Sequence, residues 1–471
     1  MRPLTHLGDL LGTLPAGEGI TLHSGAAHPT VLAGQLAEAA GALGGRRVHA
    51  LMPCGPVPYA DAPARDHLDI ATFLPGAGLR AAMDAGRVQA WRKPLSTAPG
   101  LFARGACPAG AVLLRIAPPD EAGRASLGVA VDYMPAAIRA ARLVVAEIDP
   151  AMPRVAGPGW LDAGRIDACV EAAGGPHEMP PAQADAVDDA IAGHVVSLLG
   201  DGAVLQLGVG SLADRILSRL GHLRHLGLHT GIIGGGAQAL IEQGVIDNST
   251  KEVLPGVSVA TMALGSAAFY AFLDRNPAIE LHPCSLTHGG PTLRRLSRLH
   301  AINSALQVDL HGRVNAEWAG ARRVSLPGGL ADFARAAASL PNGRSIVALR
   351  ACGRGGASAI VPELATQPCS LAQQEVDCYV TEYGVASVRG ASPEERRKAL
   401  VAIAHPEHRD ARRPSLPFPQ TISCKANDQV NRSKAGRGKI DRGQDEAAAE
   451  RETEKRDQRD ELECEQGRAA A

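Results

Sequence analysis

The sequence predicts two related open α/β domains followed by a disordered, charged C-terminal tail. Short apolar segments alternate with longer stretches rich in alanine and leucine, which is typical of strands buried on both faces and connected by helices. The segment EAAGGPHEMPPA, residues 171–182, interrupts this pattern and predicts a linker. A chain of 471 residues also exceeds one domain of about 150 residues. We therefore expect an N-terminal domain over residues 1–175, a C-terminal domain over 183–411 and a tail over 412–471.

In the first half, apolar segments predict strands and the alanine-rich stretches between them predict helices. The expected strands are residues 19–23, 47–52, 68–74, 111–117 and 143–148, and the expected helices are residues 29–42, 78–85 and 134–141. The pattern then begins again after the linker. The expected strands there are residues 203–207, 302–309, 345–351 and 378–381, and the expected helices are residues 184–199, 212–220, 330–338 and 393–404.

The last part of the chain has a different composition. Residues 421–471 carry 11 Lys and Arg and 12 Asp and Glu among few apolar residues. This composition favours a solvated, disordered extension, and a charged helix that binds a partner is the alternative.

Composition and charge exclude several classes of function. The net charge of −1 and an aromatic content of 3% argue against nucleic acid as a partner. The nine cysteines form no CxxC pair, so we expect reduced thiols and no metal site. No apolar stretch approaches the roughly 18 to 20 residues of a membrane-spanning helix. The N-terminus also lacks an apolar leader segment, so the expected location is the cytoplasm.

Three glycine-rich turns could bring backbone N–H groups to a ligand. Gly208–Leu212 follows the strand 203–207, Gly328 and Gly329 precede the helix 330–338, and residues 231–236 read GIIGGG. Such turns suit a phosphate, another anion or a developing oxyanion. A dinucleotide fingerprint is not complete, because Ala213 stands where the third glycine of GxGxxG belongs. No GxSxG nucleophile motif is present either.

Several segments together resemble the acetyl-CoA hydrolase/transferase family, which includes 4-hydroxybutyrate and acetate coenzyme A-transferases. The most specific is DCYVTEYGVASVRG at residues 377–390, which continues through RRKALVAIAHP at residues 396–406. APPDEAGRASLGVAVDY and AEIDPAMPR are similar to the N-terminal domain of that family, and LQLGVGSL, LGLHT and INSALQVDLHGRVNAE are similar to its C-terminal domain. The resemblance extends from about Ser24 to about Arg409.

The resemblance implies two CoA-transferase-type domains, with coenzyme A bound as a substrate mainly by the second and with no permanently bound cofactor. In such enzymes a glutamate attacks the thioester, and coenzyme A passes through a glutamyl thioester to a small carboxylate acceptor. The implied coenzyme A contacts are Gly208, Val209, Gly210, Ser211, Leu212, Leu306, Gly328 and Gly329. A homo-oligomer is also implied.

The sequence departs from the family at the glutamate itself. The segment that resembles the nucleophile motif reads LGLHT and is followed by Gly231, which has no side chain to form an adduct. One interpretation is an enzyme that either transfers CoA through another carboxylate or hydrolyses acyl-CoA, with Glu382 or His229 as the candidate base. A second is a catalytically silent CoA-binding paralogue that acts as a sensor or a partner subunit. A third is a sugar-phosphate or small-anion activity on the same scaffold.

Overall fold

The computed structural model describes residues 1–180, 183–353, 355–364 and 369–409. It confirms the predicted α/β class, because two largely parallel sheets with helices packed on them form its framework. The predicted tail, residues 412–471, lies outside the described residues.

The first sheet is entirely parallel and has eight strands. In spatial order these are Arg2–Pro3, Ala168–Glu171, Leu143–Ile148, Ala111–Ile116, Ile20–Leu22, Arg46–His49, Leu68–Thr72 and Val88–Ala90. Its central strands are mainly apolar, and every residue of Ala111–Ile116 is buried, including Arg115, which forms a buried ion pair with Asp149. Burial on both faces explains why the apolar pattern shows no alternation with polar residues.

The second sheet has six strands. In spatial order these are Gly227–Leu228, Val204–Leu207, Leu299–Ser304, Arg344–Ala348, Cys378–Thr381 and Gly384–Ser387. All neighbours are parallel except the last two, which form an antiparallel hairpin. The strands Val204–Leu207 and Leu299–Ser304 therefore run side by side and end at the same edge.

Helices and shorter strands surround these two sheets. The α-helices are Leu7–Gly12, Thr30–Leu43, Arg80–Asp84, Ala98–Ala103, Met134–Ala140, Ala186–Val196, Ser211–Leu217, Gln238–Glu242, Ala267–Leu273, Cys284–Thr287, Gly290–Leu293, Leu330–Ser339 and Pro393–Ala402. The paired short strands are Arg124–Ser126 with Trp160–Asp162, Ile232–Gly234 with Met262–Leu264, Ser258–Ala260 with Ile279–Leu281, Trp318–Ala319 with Arg322–Arg323, and Gln307–Asp309 with both Val314–Asn315 and Ile360–Val361.

The largest apolar core includes residues from both halves of the chain. Leu114 and Tyr133 of the first half belong to the same buried cluster as Met262, Phe269 and Val380 of the second. The boundary that we expect between residues 175 and 183 therefore separates two sheets that share one core, and it stays a prediction.

Two of the expected elements differ from the structure. The predicted strand 302–309 is two strands, because Leu299–Ser304 stays in the second sheet whereas Gln307–Asp309 pairs with Val314–Asn315. The GIIGGG segment, predicted as a turn, contains the strand Ile232–Gly234, which pairs in parallel with Met262–Leu264. In both cases the strand with which a segment pairs decides its structure, and the composition of the segment does not reveal that strand.

Candidate active site

A cavity of about 470 Å³ lies where strands of the second sheet end. Residues 206–213 line it from the end of one strand, and Ile302, Asn303 and Ser304 line it from the neighbouring strand. Ligands of open α/β sheets bind at this carboxyl edge, since the loops that follow the strands converge there. The position of the cavity therefore makes it the candidate active site.

The Gly208–Leu212 segment forms one wall of the cavity. Gly210 has φ of 123° and ψ of 180°, a conformation that side chains strongly disfavour, and the helix Ser211–Leu217 begins directly after it. Glycine at residue 210 thus allows the strand Val204–Leu207 to turn sharply into the helix. The turn brings the backbone of the whole segment against the cavity.

Gly231 lines the same cavity and is held by hydrogen bonds on both sides. The Thr230 hydroxyl donates to the carbonyl of Leu207 at 2.6 Å, which ties the segment to the strand beside it. The backbone N–H groups of Thr261 and Met262 both donate to the carbonyl of Gly231, each at 3.1 Å. Gly231, which stands where the resemblance places the family's glutamate, is therefore fixed in the cavity wall.

Gly328 and Gly329 also line the cavity, just before the helix Leu330–Ser339. The backbone N–H of Leu95 donates to the carbonyl of Gly328 at 3.0 Å, which joins this turn to a loop of the first half. Leu51, Leu74 and Leu95 of that half complete an apolar part of the lining. The three glycine segments singled out in the sequence thus meet around one cavity.

Three other candidate residues are not among those that line the cavity. The His229 side chain is buried, and its Nε2 lies 3.0 Å from the carbonyl of Thr287. Glu382 accepts a hydrogen bond at 2.9 Å from the backbone N–H of Ala351. Leu306 is 39% exposed. Their proposed roles as base or coenzyme A contact stay predictions.

His288 lines the cavity and was not singled out in the sequence. Its ring packs edge-on against Phe333, with 4.8 Å between ring centroids, and its Nδ1 lies 2.7 Å from the hydroxyl oxygen of Thr287. Burial lowers the pKa of His288 to about 3, so the imidazole is neutral at physiological pH. The sequence THGG at residues 287–290 indicates only a loop, since nothing local relates it to Gly231.

The described lining contains no Asp, Glu, Lys or Arg side chain. Its polar members are neutral: Gln206, Ser211, Thr261, His288, Asn303, Ser304, Ser325 and Ser370. Gln206 and Asn303 bond each other, with the Asn303 amide donating to the Gln206 carbonyl oxygen at 3.1 Å. The described wall can therefore offer hydrogen bonds and an imidazole. The buried Glu317 carboxylate is not among the lining residues, but it accepts a hydrogen bond at 3.0 Å from the hydroxyl of Ser370, which lines the cavity.

Two family models match the chain, one in its first half and one in its second half. The acetyl-CoA hydrolase/transferase N-terminal domain matches residues 3–171, and the corresponding C-terminal domain matches residues 265–413. The chain belongs to the acetyl-CoA hydrolase/transferase family. The resemblance inferred from the motifs is thereby confirmed, whereas Gly231 and the Gly208–Leu212 segment lie between the two matched regions.

Individual relatives of this hydrolase/transferase family member agree with that assignment. The 4-hydroxybutyrate coenzyme A transferase of Clostridium kluyveri is 35% identical over 343 residues, which is 72% of this chain and 80% of the relative. The succinyl-CoA:acetate/propanoyl-CoA:succinate CoA transferase of Fasciola hepatica is 32% identical over 410 residues, which is 86% of this chain and 85% of the relative. Both are CoA transferases, so homologues of this chain act on acyl-CoA and carboxylate substrates.

The fold is likewise that of a solved family structure. RipA from Yersinia pestis superposes with a TM-score of 0.81 at 29% identity, covering 87% of this chain and 96% of that protein. In the described part of the present chain, no helix has the length and apolar composition needed to cross a membrane.

Proposed function

We propose that this protein hydrolyses acyl-CoA thioesters by direct attack of water, without a glutamyl intermediate. The observation that carries the proposal is the composition of the cavity wall around Gly231, where the described lining contains no carboxylate. Covalent transfer of CoA in this family depends on a carboxylate nucleophile, and a glycine cannot form the thioester. Water can enter the space in which such a side chain would otherwise extend.

The remaining parts of the cavity suit a thioester. The Gly208–Leu212 backbone and the neutral hydroxyl and amide side chains can donate hydrogen bonds to a carbonyl oxygen as it becomes an oxyanion. The apolar part formed by Leu51, Leu74 and Leu95 suits a short acyl chain. Coenzyme A therefore enters as part of the substrate and leaves as free thiol, with a small carboxylate as the second product.

The test is to incubate the protein with acetyl-, propionyl-, butyryl- and succinyl-CoA, with and without acetate and succinate, and to follow every thioester by mass spectrometry. We expect loss of acyl-CoA to free coenzyme A that does not depend on the acceptor. In H₂¹⁸O, one ¹⁸O atom should enter each carboxylate released. Heat-denatured protein is the control for spontaneous hydrolysis.

Three other results would contradict the proposal, each in favour of a different function. Formation of new acyl-CoA species would indicate a transferase with another nucleophile. Acyl-CoA that raises the melting temperature without being consumed would indicate a silent binding paralogue, because a ligand that binds only the native state stabilises it. Absence of both binding and turnover would favour a different small anion as substrate.

A further inference from the structure

We propose that His288 is the general base that activates the hydrolytic water, with its Nε2 atom aimed into the space left by Gly231. This inference rests on the proposed hydrolase function and assigns the residue that performs it. Three observations support it: the position of Nε2, the room made by two glycines and the contacts that orient the ring.

The first observation is a distance. A Cβ atom built on Gly231 would lie 3.0 Å from His288 Nε2 and 3.3 Å from Cε1. A glutamate carboxylate extends about 3.5 Å beyond its Cβ, and a water bonded to Nε2 would lie about 2.8 to 3.0 Å from that nitrogen. The imidazole can therefore hold a water near the place that a carboxylate at residue 231 would occupy.

The second observation is that two glycines make room for the same edge of the ring. A Cβ atom built on Gly329 would overlap with His288 Nε2 and would come within 2.5 Å of Cδ2. Gly231 and Gly329 belong to different segments of the cavity wall; a Cβ atom at Gly329 would displace the imidazole, and one at Gly231 would press against it. The ring edge therefore reaches the cavity between two residues without side chains.

The third observation is that the ring is oriented by its neighbours. The hydroxyl oxygen of Thr287 lies 2.7 Å from Nδ1, and the edge contact with Phe333 packs one side of the ring. Nε2 has no hydrogen-bond partner among the described residues. In the tautomer that the reaction requires, Nδ1–H donates to Thr287 and the lone pair of Nε2 faces the water.

With these contacts, His288 can activate a water for attack on the thioester. Nε2 takes one proton from water while the water oxygen bonds to the thioester carbon, and the carbonyl oxygen becomes an oxyanion. Collapse of this intermediate breaks the C–S bond, and the imidazolium returns the proton to the leaving thiolate. The products are a carboxylic acid, which ionises in solution, and free coenzyme A. Burial keeps the imidazole neutral before the reaction, so the lone pair of Nε2 is available to the water.

The experiment compares acetyl-CoA hydrolysis by the wild type, His288→Ala and His288→Gln. We expect kcat to fall about 10²- to 10⁴-fold in both variants, with KM and coenzyme A affinity changed less than about threefold. Added imidazole should restore part of the activity of His288→Ala, because the truncated side chain leaves space for it. Urea unfolding and coenzyme A binding show whether each variant is folded. The matched control is His300→Gln, since His300 lies half-buried near the opposite end of the strand Leu299–Ser304 and does not line the cavity.

Each alternative outcome contradicts a different statement. If His288→Gln keeps most of the activity, the side chain acts as a hydrogen-bond donor, and the assignment of His288 as general base is wrong. An acylated peptide containing His288 after acid quench would show that Nε2 attacks the thioester itself, which also overturns water activation. If the folded His288 variants hydrolyse acetyl-CoA like the wild type, the inference fails while the hydrolase proposal stands. If the wild type has no hydrolase activity, both proposals fail together.

Discussion

The Nε2 atom of His288 occupies space that a side chain at Gly231 would need, 3.0 Å from a Cβ atom built on that glycine. The two residues are 57 positions apart in the chain and are joined through Phe333, whose ring edge contacts the imidazole and lies 3.8 Å from the same Cβ position. A side chain at residue 231 would therefore press against the imidazole, and His288 would have to shift by a few tenths of an ångström to admit it.

This tight contact predicts how transferase activity could be restored. Gly231→Glu alone should yield less CoA transfer than the variant that also lacks the imidazole, because the new side chain presses against His288. Gly231→Glu combined with His288→Ala should permit the carboxylate to extend into the cavity and should produce new acyl-CoA from acetyl-CoA and succinate. Mass spectrometry of the acyl-CoA pool measures the exchange, and His288→Ala alone is the control. Equal activity of the single and double variants would contradict the steric argument.

A second prediction concerns Gly329. Gly329→Ala should lower the free energy of unfolding by about 1 to 3 kcal/mol, because its Cβ would overlap the His288 ring in a close-packed region. Gly231→Ala, with a Cβ contact of 3.0 Å, should cost less. Both losses should shrink in a His288→Ala background, where the ring is absent. Urea denaturation of the wild type, the three single variants and the two double variants forms two double-mutant cycles, and strict additivity would show that the ring is not the obstacle.

A third prediction concerns the backbone of the Gly208–Leu212 segment. Gly210→Ala should destabilise the protein by about 1 to 3 kcal/mol, because an alanine strongly disfavours φ of 123°. Gly208→Ala is the matched control, since its Cβ would meet nothing within 4 Å and its φ lies outside the positive range. We also expect Gly210→Ala to weaken coenzyme A binding in calorimetry. Similar unfolding free energies for the two variants would contradict the conformational argument.

A fourth prediction concerns the pH dependence of stability. Asp132 is fully buried, and burial raises its pKa to about 7, so the folded protein holds a proton that the unfolded chain releases near pH 4. The contribution of Asp132 to stability is therefore complete below pH 4 and decreases as the pH rises to about 7. The rise in the pKa of Asp132 from 3.8 to about 7 corresponds to a change of about 4 kcal/mol in the free energy of unfolding.

Asp132→Asn tests this contribution by difference. The free energy of unfolding of the wild type minus that of the variant should decline between pH 4 and pH 7 and should level off above it. Other buried groups, such as Glu147 and Asp332, titrate in both proteins and cancel in the difference. A difference that does not change with pH would show that Asp132 is ionised in the folded state.

The family could be predicted from the sequence because the residues that identify it are contiguous in the chain. The segment 377–390 and the strand Val204–Leu207 followed by Gly208–Leu212 are each recognisable without knowledge of distant contacts. Mainly apolar segments such as Ala111–Ile116 and Leu143–Ile148 also indicate their own structure, since strands buried on both faces are rich in apolar side chains. The absence of a glutamate after LGLHT is visible in the same way.

What the sequence alone determined is therefore the α/β class and the family, and it predicts that Gly231 stands where the family has its glutamate. The tertiary structure decided what stands beside that glycine. His288, Phe333 and Gly329 are brought to Gly231 by the pairing of Val204–Leu207 with Leu299–Ser304 and by the packing of the helix Leu330–Ser339. The physical reason is that local propensities and motifs extend over a few residues, whereas a cavity is formed by loops that converge only after distant strands have paired.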